Sequence, residues 1–251
     1  MIDVLDDGRS RSFGWAASGI AAVTAVHEHD RWVDMDTSNC HPETKRFCTA
    51  CTFLRSEHHR VWSNRADHGV HLHHLFESWS RNEDAEVDEA SGPYMDALEK
   101  FYVEHSPEFI FSEATIAYGL ERKDQRSHRF RGTFDAIAWL SVDRERERWL
   151  LDYKSTSGIY PVSMCLQLSA YRHSQSLTDW SDGTERVVGK VPRVDRAGVV
   201  WLREDGTFRL VELPADQTAF SHFLRLVDCW HYQRRMDAWT RAHAPEWEEE
   251  R

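Results

Sequence analysis

Three short stretches decide the fold of this chain: Gly132-Thr-Phe-Asp135, Leu150-Leu-Asp-Tyr-Lys-Ser-Thr156 and Gln167-Leu-Ser-Ala-Tyr171. The first lies within an apolar strand pattern from Arg129 to Leu140. The second ends a strand that begins at Trp149. The third lies on a helix that the pattern predicts from Pro161 to Ser176, with proline at its first turn. The order strand, strand, helix therefore predicts an α/β unit around these residues.

Upstream of these stretches the pattern is helical. Apolar residues recur at three- and four-residue steps in one stripe from Trp15 to Val26 and in another from Phe53 to Trp79. A third helix is predicted from Tyr94 to Val103, after the breaker Gly92-Pro93. We therefore distinguish an N-terminal helical region, residues 1–105, from a core, residues 106–251, within one integrated domain.

Strand patterns dominate after Pro107. A first strand is predicted from Phe109 to Tyr118, and Asp205-Gly206 is typical of a hairpin turn between two later strands, Val199–Leu202 and Phe208–Leu213. A long helix from Gln217 to His243 follows. This order predicts an α/β fold with a mixed, mostly antiparallel sheet and helices packed on its faces.

The decisive stretches place two carboxylates and a lysine near one another. Asp135 has apolar neighbours in its strand, while Asp152 and Lys154 are two residues apart, so that they leave their strand on the same face. Converging carboxylates repel each other unless a cation joins them, and hard oxygen ligands select Mg²⁺ or Mn²⁺. A neighbouring lysine orients water and offsets charge on a phosphate. Asp-x-Lys alone is also typical of a strand-end salt bridge.

These residues resemble a known nuclease family. Gly-x-x-Asp, Asp-x-Lys and Gln-x-x-x-Tyr, in this order, are similar to the motifs of the RecB-like branch of the PD-(D/E)xK superfamily, which includes CRISPR-associated exonucleases and stand-alone phage exonucleases. The family's helical Gly-x-x-x-His corresponds to Gly69-Val-His-Leu-His73. The resemblance runs from about Trp62 to Tyr171. It implies a restriction-endonuclease-like core and metal-dependent hydrolysis of DNA without a covalent intermediate.

The resemblance also implies a role for each matching residue. The catalytic Mg²⁺ or Mn²⁺ would be bound by the side chains of three residues and by one main-chain carbonyl: His73, Asp135, Asp152 and the carbonyl of Tyr153. Lys154 would position or activate the attacking water. Gln167 and Tyr171, one helical turn apart, would hold the DNA backbone. Because four histidines lie between His68 and His74, His71 and His74 stay open as alternatives to His73.

Three cysteines form a second candidate site. Cys40, Cys48 and Cys51 include a Cys-x-x-Cys pair, which is a common way to place two thiolates on one ion. Structural zinc, an iron–sulfur cluster and ordinary thiols near helix ends are all compatible with this spacing. The cluster departs from RecB-like nucleases with an iron–sulfur cluster, which have one cysteine before the core and three after it.

Composition limits the remaining possibilities. A net charge of −11 argues against a protein that coats nucleic acid, but an enzyme needs only a local basic groove, and the segment from Lys123 to Arg131 is a candidate for it. A solvated hairpin end explains that segment equally well. The sequence shows no membrane span and no secretory signal, so we expect a cytoplasmic protein of a bacterium or a phage-infected cell.

Three functions fit the sequence. We expect an exonuclease on single strands or DNA ends, serving recombination, repair or replication, with a recombination or replication protein as a possible partner. A structure-specific endonuclease would use the same core. A DNA-binding or assembly module that has lost catalysis would have no physical need for unpaired carboxylates.

Overall fold

The computed structural model describes residues 34–35, 48–81, 83–120, 129–179 and 186–243, without the side chains of residues 55 and 57–66. Four helices lie in this part of the chain: α1 (Thr49–Ser80), α2 (Gly92–His105), α3 (Pro161–Arg172) and α4 (Gln217–His243). The predicted helices there are confirmed, although α3 ends four residues earlier than expected. The predicted stripe from Trp15 to Val26 and Cys40 lie outside the described residues.

Seven strands form one mixed sheet: β1 (Glu108–Tyr118), β2 (Phe130–Val142), β3 (Glu145–Lys154), β4 (Ser176–Asp179), β5 (Arg186–Lys190), β6 (Arg196–Leu202) and β7 (Phe208–Glu212). Their order across the sheet is β5-β4-β1-β2-β3-β6-β7. Only the pairing of β3 with β6 is parallel among the described strands. The predicted α/β class with a mostly antiparallel sheet is therefore confirmed.

The sequence patterns missed two strands. β4 and β5 follow α3 directly and extend the sheet beyond β1, where β4 pairs with β1 from Thr115 to Ala117. The prediction had extended α3 to Ser176, which instead begins β4. Both strands are short, and β5 lies at the edge of the sheet with largely exposed side chains, so they lack the apolar run that marks a buried strand.

Two apolar cores cover the central strands. The first contains Leu72, Leu75 and Phe76 from the end of α1, together with buried residues of α2 and of β2. The second contains Met164 and Leu168 of α3. Helices thus flank the sheet, and the central strands β2 and β3 contribute residues to both cores.

The chain divides into two compact units, one from Leu72 to Arg251 and the other ending at His71. The division falls inside α1, so that the last turns of this helix, including His73, belong to the unit that contains the sheet. None of the helices in the described ranges is long and apolar enough to cross a membrane.

Candidate metal and catalytic site

The unit from Leu72 to Arg251 brings the predicted side chains together with Glu113, and these residues come from five elements. β2 lies between β1 and β3 in the sheet, and α3 packs against β2 and β3. The side chains that meet here are His73 of α1, Glu113 of β1, Asp135 of β2, Asp152 and Lys154 of β3, and Gln167 and Tyr171 of α3.

Asp135 occupies the middle of the cluster. Its Oδ2 accepts a hydrogen bond of 2.6 Å from the main-chain N–H of Tyr153 and lies 3.5 Å from Nδ1 of His73. Burial, and then the charge of Asp152, raise the pKa of Asp135 well above its ordinary value. A carboxylate in this position gains from a nearby cation. Tyr153 reaches the cluster through its N–H group, while metal binding by its carbonyl stays a prediction.

Asp152 is almost fully buried at 2% exposure, and two side chains compensate for that burial. Nζ of Lys154 lies 2.6 Å from Oδ2 of Asp152, and Nε2 of Gln167 donates a hydrogen bond of 3.1 Å to Oδ1. The strand-end salt bridge that Asp-x-Lys suggested is therefore present. This salt bridge is part of the cluster, because the charge of Lys154 also acts on Asp135. It lowers the pKa of Asp135, in opposition to burial.

His73 is positioned by the packing of the end of α1 on the sheet. Phe76, one turn further along, packs against Tyr153 with a ring-centroid distance of 5.4 Å, and Ser80 donates a hydrogen bond to Ser112 of β1. Burial, followed by the charge of Lys154, lowers the pKa of His73. The neutral imidazole that results at neutral pH is the form that binds metals.

The other histidines have different surroundings. The His74 side chain is 74% exposed and lies 3.8 Å from Glu77, one turn away on its own helix. His71 belongs to the other compact unit. Of the three candidates, His73 is thus the one that the structure places beside Asp135.

Glu113 is a residue of the cluster that the sequence motifs do not single out, since a strand glutamate is ordinarily exposed. Its carboxylate Oε1 lies 3.9 Å from Nδ1 of His73, and its side chain is 26% exposed. Burial raises its pKa, with a further contribution from Glu77. Its φ of 49° is left-handed, which costs a non-glycine residue about 1–3 kcal/mol and occurs preferentially at functional sites.

The pairing of strands accounts for the position of Glu113. Ser112 pairs with Ala136 and Ala114 with Phe134, so Glu113 lies directly across from Asp135. The sequence alone does not give this register, because the length of the connection between β1 and β2 leaves several registers possible. The hydrophobic alternation of β1 is also irregular, with an intermediate burial along most of its length.

The donor set suits a divalent cation. One ligand atom each from His73, Glu113 and Asp135 lie within 4.8 Å of one another, and no other group of this kind occurs among the residues that the structure describes. Ligands of an octahedral ion at about 2.1 Å are about 3–4 Å apart. The distances of 3.9 Å and 3.5 Å from Nδ1 of His73 to Glu113 and Asp135 fall within this range. Asp152, the predicted ligand, instead faces Lys154 and Gln167 in this arrangement.

Gln167 and Tyr171 lie on one face of α3 beside the cluster, as the sequence predicted. Nε2 of Gln167 donates to the Tyr171 hydroxyl at 3.0 Å as well as to Asp152, which uses both hydrogens of the amide. Burial raises the pKa of Tyr171 to about 12, although the hydrogen bond from Gln167 acts in the opposite direction. The hydroxyl is thus protonated at neutral pH and accepts one hydrogen bond, so its own hydrogen is available for another acceptor.

Of the basic segment from Lys123 to Arg131, the structure describes only residues 129–131. Arg129 donates through Nε to the carbonyl of Gly119 at 3.1 Å, which closes the base of the β1–β2 connection. Residues 121–128, which include Lys123, Arg126 and His128, lie outside the described part of the chain. A DNA-contacting role for the segment stays a prediction.

The cysteine cluster is described in part. The buried Cys48 directly precedes α1, and its Sγ accepts a hydrogen bond of 3.4 Å from the main-chain N–H of Cys51, as in a helix N-cap. None of the described cysteines forms a disulfide. With Cys40 outside the described residues, the zinc and iron–sulfur alternatives remain predictions beside this capping contact.

No protein-family model matches the chain, and no curated protein is significantly similar to it in sequence. The case for a function therefore depends on the residues of the cluster and on their geometry.

Proposed function

We propose that the protein is a metal-dependent DNA nuclease of the RecB-like branch of the PD-(D/E)xK superfamily. The observation that carries the proposal is the meeting of His73, Asp135, Asp152 and Lys154 at one point, although the four come from three separate elements. A salt bridge needs only Asp152 and Lys154. The costly burial of the second carboxylate beside a neutral histidine is explained by a cation that both of them bind.

In this proposal His73 and Asp135 bind the metal in the arrangement described, and Glu113 is added to the predicted ligands. Asp152 would hold the same ion through a carboxylate oxygen, with the ammonium group of Lys154 beside it. A bound divalent cation supplies charge neutralisation for a phosphate and a lowered pKa for water. The seven-stranded mixed sheet with flanking helices is compatible with a restriction-endonuclease-like core.

The reaction would be hydrolysis of a phosphodiester. Water forms a new P–O bond, one ester P–O bond breaks, and one proton from the water ends on the leaving oxygen. Lys154, whose side chain is 20% exposed and contacts Asp152, would orient the water or offset the charge that builds on the phosphate. The hydroxyl hydrogen of Tyr171 would bind a phosphate oxygen of the same strand.

The substrate would be DNA, with cleavage from single strands or ends as the preferred activity. The test is incubation with single- and double-stranded DNA labelled at the 5′ or the 3′ end, in Mg²⁺, Mn²⁺ or EDTA. We expect metal-dependent cleavage that Lys154→Met abolishes and that Lys190→Met, the same exchange at an exposed lysine of the edge strand β5, leaves unchanged. Stepwise shortening from one end identifies an exonuclease, and internal fragments identify an endonuclease. DNA binding without cleavage under every metal condition would refute the proposal in favour of a non-catalytic module.

A further inference from the structure

Gly132 lies beneath the ring of Tyr171. A Cβ atom at this position would lie 2.7 Å from Cε1 of Tyr171 and 3.6 Å from both Cδ1 and Cζ of the same ring. Side-chain carbons essentially never approach to less than 3.0 Å. Every residue except glycine would therefore displace this ring from β2.

The ring has little freedom to move. Tyr171 packs against the second core and is tilted against Phe134 at a centroid distance of 6.5 Å. Its hydroxyl is fixed by the hydrogen bond from Gln167. An ordinary contact with a new Cβ at 3.4 Å would require a shift of about 0.7 Å, enough to stretch or break a hydrogen bond of 3.0 Å.

The hydrogen bond between Gln167 and Tyr171 matters because the same amide group of Gln167 also binds Asp152. The same Nε2 of Gln167 donates to Oδ1 of Asp152, the nearly fully buried carboxylate whose other oxygen faces Lys154. With one hydrogen on the tyrosine and the other on the aspartate, the amide plane is fixed. Loss of the tyrosine contact frees the amide to rotate, and Asp152 then loses the donor that fixes its orientation.

We propose that Gly132 is a positioning residue, whose missing side chain seats Tyr171 so that Gln167 holds Asp152 in the orientation that the metal and Lys154 require. The consequence for rate rests on the proposed nuclease function. The coupling of Gly132 to Asp152 through Tyr171 and Gln167 is a structural statement that stands independently of activity. The effect is indirect, since glycine has no side chain that could contact DNA or metal.

A double-mutant cycle tests the proposal, with Gly132→Ala, Tyr171→Ala and their combination. Gly132→Ala should lower the single-turnover cleavage rate at saturating DNA by about tenfold, the equivalent of one lost hydrogen bond. It should also raise the Mn²⁺ concentration that gives half the maximal rate. In the Tyr171→Ala background, where no ring is displaced, the added alanine should change both quantities by less than about twofold.

Gly189→Ala is the matched control. It is also a glycine-to-alanine exchange within a strand of the sheet, but its Cβ would meet only Leu177 at 3.7 Å, an ordinary contact. We expect unchanged cleavage for this variant. Equal effects of Gly132→Ala with and without the tyrosine ring would overturn the proposal, because a general effect of alanine on β2 does not depend on Tyr171.

A second readout does not need activity. The side-chain amide resonances of Gln167 should shift in Gly132→Ala. The melting temperature should fall when Gly132→Ala is made in wild type, and it should not fall further when Gly132→Ala is added to Tyr171→Ala. If the wild-type protein cleaves no DNA, the nuclease proposal fails. The resonances and melting temperatures still test whether Gly132 positions the ring of Tyr171. If wild type cleaves and Gly132→Ala leaves rate, resonances and melting temperature unchanged, the positioning role alone is wrong.

Discussion

Binding of a divalent cation should stabilise the folded protein through Asp135. The perturbation is Asp135→Asn, which keeps the acceptor for the Tyr153 N–H but removes the charge that lies 3.5 Å from His73. A cation at about 100 times its dissociation constant stabilises the folded state by about 2.7 kcal/mol. For a chain of 251 residues, each kcal/mol corresponds to about 2–4 °C in melting temperature, so wild type should gain about 5–10 °C.

The assay is thermal unfolding over a Mn²⁺ titration, with Asp143→Asn as the control. Asp143 is an exposed aspartate in the β2–β3 turn with a φ of 50°, a conformation that asparagine tolerates well. We expect the full rise for wild type and for the control, and a rise of less than about 2 °C for Asp135→Asn. A wild-type protein without any rise, or the same rise in Asp135→Asn, would refute a metal site at Asp135.

Four further predictions concern the same cluster and the cysteines. Lys154→Met should abolish DNA cleavage yet retain the Mn²⁺-dependent rise in melting temperature, because the lysine is no ligand; loss of both would contradict a purely catalytic role. Glu113→Gln should increase the Mn²⁺ dissociation constant by about tenfold, measured by calorimetry, and an unchanged constant would exclude Glu113 from the ligands. Without metal, burial and the charge of Asp152 raise the pKa of Asp135 in the folded state, so its contribution to stability is complete below a pH of about 4 and is lost as the pH rises through the raised pKa. In denaturant unfolding, the free energy of unfolding should therefore decline less with rising pH for Asp135→Asn than for wild type. Parallel curves would contradict this prediction. Metal analysis of anaerobically purified protein should find zinc or iron if Cys40, Cys48 and Cys51 bind a metal, and a protein with neither metal would contradict a metal site at these cysteines.

Local patterns were sufficient for most of the elements. The apolar runs around Asp135 and Asp152 predicted β2 and β3, and the hairpin at Asp205-Gly206 predicted β6 and β7. The sequence patterns did not predict β4 and β5, because the conformation of these strands depends on pairing with β1 and with each other. Short edge strands have little hydrophobic pattern of their own.

The sequence by itself determined which residue types were available for chemistry and which element each would occupy. Asp152 and Lys154 share a strand face, and Gln167 and Tyr171 share a helix face, because strand and helix periods are properties of the backbone. Only the tertiary structure decided that His73 rather than His74 faces Asp135, and that Glu113 lies across from it. It also decided that Gly132 leaves space for the ring of Tyr171. These are contacts between elements distant in sequence, and strand register and helix packing, which a local pattern does not encode, set them.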